Sequence, residues 1–279
     1  MKLTILGTGS PSPNLQRRGP AQTVECGDDL ILIDTGAGTL HRLVEAGFPT
    51  LPISAIAFTH LHSDHVTGLL DVLWAGWIQR RWRTAPTIYG PPGTQHFIDH
   101  LIEAMDYDIR VRVGPVLKRE NLVPPVVEID EGWSTSGKDW RLSAFRVEHL
   151  PVDQAFGFRI DQDASSIVIS GDTRASENLM THAKDADILV HEVFWAQGMR
   201  DLGAGAPDAQ ERARFELLNT YHTSSEDVGK VANNANAKHL VLSHIIRPRA
   251  DADFSQDITP DYGGHLTVGE DLMTFEVGR

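Results

Sequence analysis

Strand-length apolar runs alternate with helix-patterned segments along the chain, and no low-complexity linker interrupts them. This predicts an α/β fold in one domain over residues 1–279. Folds of this class place their chemistry in loops beyond strand ends. Metal-ligand residue types gather in such places here. The densest is Phe58-Thr59-His60-Leu61-His62-Ser63-Asp64-His65, between the strand-like run Ile53–Ala57 and a helical pattern over Val66–Gln79. His60 and His62 are two apart, which on extended backbone puts both rings on one side. Asp64 and His65 follow at the turn and can point towards a second ion. Imidazole with carboxylate suits zinc, and also manganese or iron. Chance histidines in a polar loop explain four ligand types in six positions poorly.

Taken in order, Leu3–Gly7 reads as a first strand, ending in the turn Gly7-Thr8-Gly9-Ser10-Pro11. No Walker-type lysine or helix start follows, so a phosphate loop is not read there. Gln22–Cys26 and Leu30–Asp34 form a hairpin around Gly27-Asp28-Asp29, closed by Asp34-Thr35-Gly36. Thr39–Ala46 is helical, with Gly47 as its stop. Thr87–Tyr89 is a short strand, and Thr94 caps a helix running to Met105. Val126–Ile129, Trp140–Glu148, Ala155–Ile160 and Ser166–Ser170 read as strands, Glu177–Ala183 as a helix, and Ile188–Val190 as a strand. Polar residues Gln197–Gln210 predict a mobile loop. Helices follow at Arg212–Leu218 and Ser225–Ala235, then a strand His239–Leu242 ending at Ser243-His244. The tail reads as loop, with Leu272–Val277 as an edge strand. Trp74 and Trp77, at helical spacing, fit a core; with Phe194 and Trp195 they are also candidates to wall an apolar pocket.

Composition narrows the function. The 41% hydrophobic content suits a buried core. No apolar run reaches the roughly 18 residues of a spanning helix. Met1-Lys2 leads straight into a strand, so no signal peptide is read. The single cysteine, Cys26, excludes an internal disulfide and a cysteine-rich metal site. A cytoplasmic setting follows as an expectation. The net charge of −13 repels polyanions unless a basic patch outweighs it. The one arginine cluster, Arg80, Arg81 and Arg83, reads as a solvated helix end or as an anion-attracting rim.

Three further ligand types follow apolar strands: His149, Asp172 in Ser170-Gly171-Asp172-Thr173, and His244. With the first motif they make seven, enough for two adjacent ions. His41, His96, His100, His182 and His239 lack that context and read as surface residues.

On these motifs the chain resembles the metallo-β-lactamase superfamily, whose H-x-H-x-D-H signature is His60-x-His62-x-Asp64-His65. More narrowly, it is similar to the ribonuclease Z-like branch with its arylsulfatase and phosphodiesterase relatives. Leu6-Gly7-Thr8-Gly9, Asp34-Thr35-Gly36-Ala37-Gly38, Ser170-Gly171-Asp172-Thr173, His191-Glu192, Tyr221-His222-Thr223-Ser224 and Leu242-Ser243-His244-Ile245 fall in family order. The resemblance implies an αββα sandwich with two zinc ions at one edge of two facing sheets. It implies His60, His62 and His149 on one ion, Asp64, His65 and His244 on the other, and Asp172 with a water or hydroxide bridging them. It further implies His222 as general acid for a leaving oxygen, oriented by Glu192. The bland alternative is that Glu192 buttresses a helix and His222 merely precedes one. His191, facing the other side of its strand, is left out. There is one departure. Ribonuclease Z proteins that clamp tRNA carry a long arm between the motifs matching His149 and Asp172, and here about two dozen residues separate them.

The function these readings predict is hydrolysis of a small ester, a phosphodiester or aryl sulfate, by a two-zinc site that supplies hydroxide near neutral pH, with Asp64 accepting the water's proton. Manganese or iron are alternative metals. Lactone or β-lactam hydrolysis, tRNA 3′ processing, and a non-catalytic metal sensor are the rivals. The expected partner is a small-molecule ester; nucleic acid and membrane are not expected, and a homodimer is compatible with the sequence.

Overall fold

The computed structural model describes residues 1–247 and 253–278. Fourteen strands are found among the described residues. They are β1 (Lys2–Gly7), β2 (Ala21–Cys26), β3 (Asp29–Ile33), β4 (Ile53–Ala57), β5 (Thr87–Gly90), β6 (Val126–Glu128), β7 (Ser134–Ser136), β8 (Arg141–Arg146), β9 (Phe156–Gln162), β10 (Ser165–Ile169), β11 (Ile188–Phe194), β12 (His239–Ile246), β13 (His265–Val268) and β14 (Thr274–Glu276). The helices are α1 (Thr39–Glu45), α2 (Ser63–Val66), α3 (Leu69–Ile78), α4 (Thr94–Ala104), α5 (Asp106–Arg112), α6 (Glu177–His182), α7 (Ala196–Ala204), α8 (Ala209–Tyr221), α9 (Val228–Asn234) and α10 (Ser255–Ile258).

Two sheets result, ordered β14-β1-β2-β3-β4-β5-β6 and β13-β12-β11-β10-β9-β8-β7. Strand alternation builds the layers. Ile31 and Ile33 of β3 face Phe156, Phe158 and Ile167 of the other sheet in one shared apolar layer. Leu30 and Leu32 face the opposite way, onto Leu43 of α1 and Leu73 and Trp77 of α3. In the second sheet, Leu189 and Val193 of β11 face Leu179 of α6 and Val231 of α9. Strands with both faces covered must be apolar throughout, which is why β3 and β11 carry no simple alternation. The arrangement is the expected αββα sandwich.

The parallel runs β3-β4-β5-β6 and β10-β11-β12-β13 point their C-terminal ends to one edge. The candidate ligands collect there.

Several expectations need correction. The helix read over Val66–Gln79 is two helices, α2 and α3, broken at Thr67-Gly68. A Cβ on Gly68 would lie 2.3 Å from the Gly36 carbonyl oxygen, so only glycine lets the two loops meet. Asp64 and His65 thus sit in the first turn of α2. Thr94 does not cap α4: Gly93 holds the N-cap position, and the Thr94 hydroxyl donates to the Pro91 carbonyl at 2.6 Å. The polar stretch over 197–210 is largely helix, not loop. Its polarity is that of a hairpin lying outside the main cores, since α8 buries no residue. The signal was present: Asp208 accepts from the Glu211 N–H at 2.9 Å, a D-x-x-E cap. His239–Leu242 continues as strand to Ile246, and the edge strands β7 and β13 went unread because their residues are at most half buried. Trp74 and Trp77 are core. Arg80, Arg81 and Arg83 lie beyond α3 with Arg80 and Arg81 exposed and Arg81 on Gln79, the solvated-end reading. His182 and His239 are half buried rather than on the surface. Cys26 is buried, and burial pushes its thiol up to about 11.

Candidate metal centre

The β4 end and the α2 turn converge two ring nitrogens with a third from the other sheet. His60 Nε2 lies 3.0 Å from His62 Nδ1, and His149 Nε2 lies 3.2 Å from the same atom. Tetrahedral zinc with its usual ligand lengths separates nitrogens by about 3.3 Å, so this spacing fits coordination. His149 is aimed by donating Nδ1–H to the Tyr221 carbonyl at 2.8 Å. A second group lies beside the first. His244 Nε2 is 3.3 Å from Asp64 Oδ2, and His65 Nε2 is 3.7 Å from that oxygen.

Asp172 stands between the groups. One carboxylate oxygen is 3.4 Å from His65 Nε2; the other is 3.4 Å from His244 Nε2, 3.8 Å from His60 Nε2 and 3.9 Å from His149 Nε2. His65 Nε2 and Asp172 Oδ1 are buried without a hydrogen-bond partner. Orphaned donors and acceptors of this kind are costly unless something else satisfies them. Together the clusters are compatible with a binuclear metal site.

The backbone aims these groups. Ser243 pairs with Glu192 and Ile245 with Val193, so His244 is the extra residue of a bulge in β12, at φ 41°. A bulge turns one side chain out of the strand's alternation. His244 therefore lies within the strand and not after it, and the bulge is what delivers it to the edge.

Electrostatics agree with a cation site. Burial pushes His60 well below and His149 to about 4, keeping both as neutral imidazoles. Burial opposes charge on His65, but Asp172 and Asp34 outweigh it and hold its pKa well up. Burial would raise Asp172, yet His244, His65 and His60 hold it well down. Burial would also raise Asp64, and His244 and His65 draw it down. Carboxylates that favour positive charge at a fully buried histidine also favour a metal ion there.

His222, at the end of α8, places Nδ1 2.7 Å from Glu192 Oε1. Glu192 faces the edge from β11, and burial with Asp172 pushes its pKa well up. Burial lowers His222. His222 also falls within ligand range of Asp172 and His244. His191 faces the helix layer, as its strand position requires.

Asp34 is a residue to which the sequence assigned no role. It ends β3 at φ 59° and accepts from the Thr59 N–H at 2.9 Å, the Thr59 hydroxyl at 2.8 Å and His65 Nδ1 at 2.8 Å. Such a carboxylate fixes the tautomer and direction of a ligand histidine. An aspartate closing a strand one loop away from an HxHxDH turn was the available signal.

A cavity of about 390 Å³ opens on the centre, with His62, Asp64, His149, Asp172 and His222 on one wall. Met199, Leu202, Arg214, Phe215 and Leu218 from α7 and α8 line it as well, together with Arg247.

A four-layered sandwich with two histidine–aspartate clusters at the sheet edge defines a class, and similarity to known proteins agrees. The solved metallo-beta-lactamase fold protein YhfI from Bacillus subtilis superimposes with a TM-score of 0.75 at 16% identity, over 99% of this chain and 98% of that one. Human tRNase Z, short form (ELAC1), gives 0.73 at 22% identity over the whole of both chains. A ribonuclease Z of Mycobacterium bovis (strain BCG / Pasteur 1173P2) is 33% identical over 287 aligned positions, covering 99% of this chain and 98% of the relative. The family model of anti-Pycsar protein Apyc1 matches residues 1–202. The chain belongs to the metallo-β-lactamase superfamily of metal-dependent hydrolases, in the ribonuclease Z-like branch that these matches define.

Proposed function

We propose that the chain hydrolyses a small anionic ester, a phosphodiester or aryl sulfate, at a two-zinc centre. His60, His62 and His149 would hold one ion, Asp64, His65 and His244 the other, and Asp172 both. The donor set of imidazoles and carboxylates suits zinc best, with manganese and iron as alternatives. Such ions, when bound, lower the pKa of water and polarise the ester under attack. The chain's own residues do the rest. Asp64, kept ionised by His244 and His65, takes the proton of the attacking water. His222 gives a proton to the leaving oxygen. While the Glu192–His222 pair holds two protons, Nε2 of His222 carries one in either microstate, because Nδ1 is engaged by Glu192.

The observation that carries this reading is His222 on the cavity wall that also bears the clusters, backed by the buried Glu192 carboxylate at 2.7 Å. Proton donation matters most for a poor alkoxide leaving group. His222→Ala should therefore barely slow a nitrophenyl ester and slow an alkyl ester about 10²–10⁴-fold, with metal content unchanged near two equivalents. Equal loss on both substrates removes the acid role. Lost metal makes His222 a ligand, as its distance to Asp172 and His244 allows.

Relatives named ribonuclease Z favour a second reading, RNA 3′ processing. Against it, β9 and β10 are joined by a tight turn at Asp163-Ala164, with no arm between His149 and Asp172, and the chain carries −13. Pre-tRNA should be cleaved far more slowly than a small diester; comparable rates would reverse the order of the two readings.

A further inference from the structure

The cavity's second wall has no explanation in the hydrolytic chemistry. Helices α7 and α8 lie outside the three main apolar layers. They are held by a small cluster of Phe194, Ala196 and Met199, with Phe215, Leu218 and Ile246 against it. Met199 and Leu202 are three apart on α7; Phe215 and Leu218 are three apart on α8. That spacing puts each pair on one helix face, and all four line the cavity that His62, His149 and His222 also line. Leu202 is 42% exposed there, and no residue of α8 is buried. An apolar face kept open beside charged ligands is a binding surface more often than an accident. A further cavity of about 280 Å³, lined by residues of both helices, shares Met199 and Phe215 with this one. The wall is thus thinly backed, and Met199 is a side chain that adapts its shape.

We propose that Leu202, Phe215 and Leu218 form a specificity subsite for one apolar group, aryl or branched alkyl, on the ester whose charged centre lies against Asp172 and the histidines. The proposal rests on the hydrolase reading above and adds the substituent. The volume of about 390 Å³ is ample for one such group with its ester. The occupant is a substrate group because the wall is continuous with the candidate metal centre: one cavity has both linings.

The test is calorimetric binding of phenylphosphonate and methylphosphonate to zinc-loaded full-length protein. Burying a phenyl ring predicts that phenylphosphonate binds about 10–100-fold more tightly. Leu202→Asn and Phe215→Ala should each reduce that preference and leave methylphosphonate affinity and zinc content unchanged. Phe215→Leu should restore most of it. Leu202 is exposed, so its variant tests the wall even where Phe215→Ala fails to fold. Equal affinity of the wild type for the two phosphonates overturns the subsite while leaving the anion site standing. Binding of neither overturns the hydrolase reading beneath it.

Discussion

The two sheets reach their shared edge by different routes. The first contributes His60, His62, Asp64 and His65 from six consecutive positions, on one strand end and one helical turn. The second contributes His149, Asp172, Glu192, His222 and His244 from separate elements between positions 149 and 244. Each side also sets a buried carboxylate against a histidine, Asp34 on His65 and Glu192 on His222. The two braces differ. Asp34 is locked by Thr59 through both oxygens. Glu192 is pushed towards protonation by burial and by Asp172. A locked carboxylate is suited to positioning, and one whose buried site favours the proton is suited to sharing it with a histidine.

The bridge between the halves gives the largest expected effect. Asp172 stands within 3.4–3.9 Å of His60, His65, His149 and His244. Asp172→Ala should lose both metal equivalents in elemental analysis, and turnover with them. Retention of one tightly held equivalent would mean that the halves bind metal independently and Asp172 joins nothing.

The braces come next. Loss of a carboxylate behind a ligand histidine typically costs about 10–100-fold in metal affinity. Asp34→Asn should show that loss in a zinc competition titration, confined to one of two equivalents, with the circular dichroism spectrum unchanged. Glu192→Gln should leave zinc affinity intact and weaken turnover of alkyl esters selectively. If both variants lose metal alike, the contrast between the braces is wrong.

The same difference decides what the sequence discloses. Four ligand types in six positions are legible because a strand followed by a turn gathers them without help from tertiary structure. His149, Asp172 and His244 are legible only as strand-end residues, and His244 in fact lies within its strand. A bulge, set by pairing with β11, delivers it. Asp34 was hidden because its role depends on a close approach that Gly36 and Gly68 permit, with nothing local to announce it. Helix α7 reads as a loop, while most of α8 is legible as the helix Arg212–Leu218, because a helix outside the main cores keeps a polar composition. The sandwich itself was legible through the family motifs, since short strands alone do not say which sheet they join.

A separate effect, on stability and not on metal or turnover, lies next to Glu192. His191 is fully buried on the helix side of β11, donates Nδ1–H to the Glu192 carbonyl at 2.7 Å, and has no partner at Nε2. Burial lowers its pKa to about 4. An unfolded chain protonates this ring near its ordinary value of about 6.5, whereas the folded chain resists until about 4. Between those values the unfolded state binds more protons, so stability falls as pH falls. The neutral ring's contribution is fully present above pH ~6.5 and is lost by pH ~4, a change on the order of a few kcal/mol. His191→Asn keeps a donor for the Glu192 carbonyl and removes the titration. In chemical denaturation at pH 7.5 and pH 5, the stability gap between wild type and variant should shrink, or change sign, at the lower pH. Titration of the metal ligands is common to both proteins and cancels in that gap. A gap constant with pH would mean that His191 takes up its proton within the fold and that the helix side of β11 is open to water.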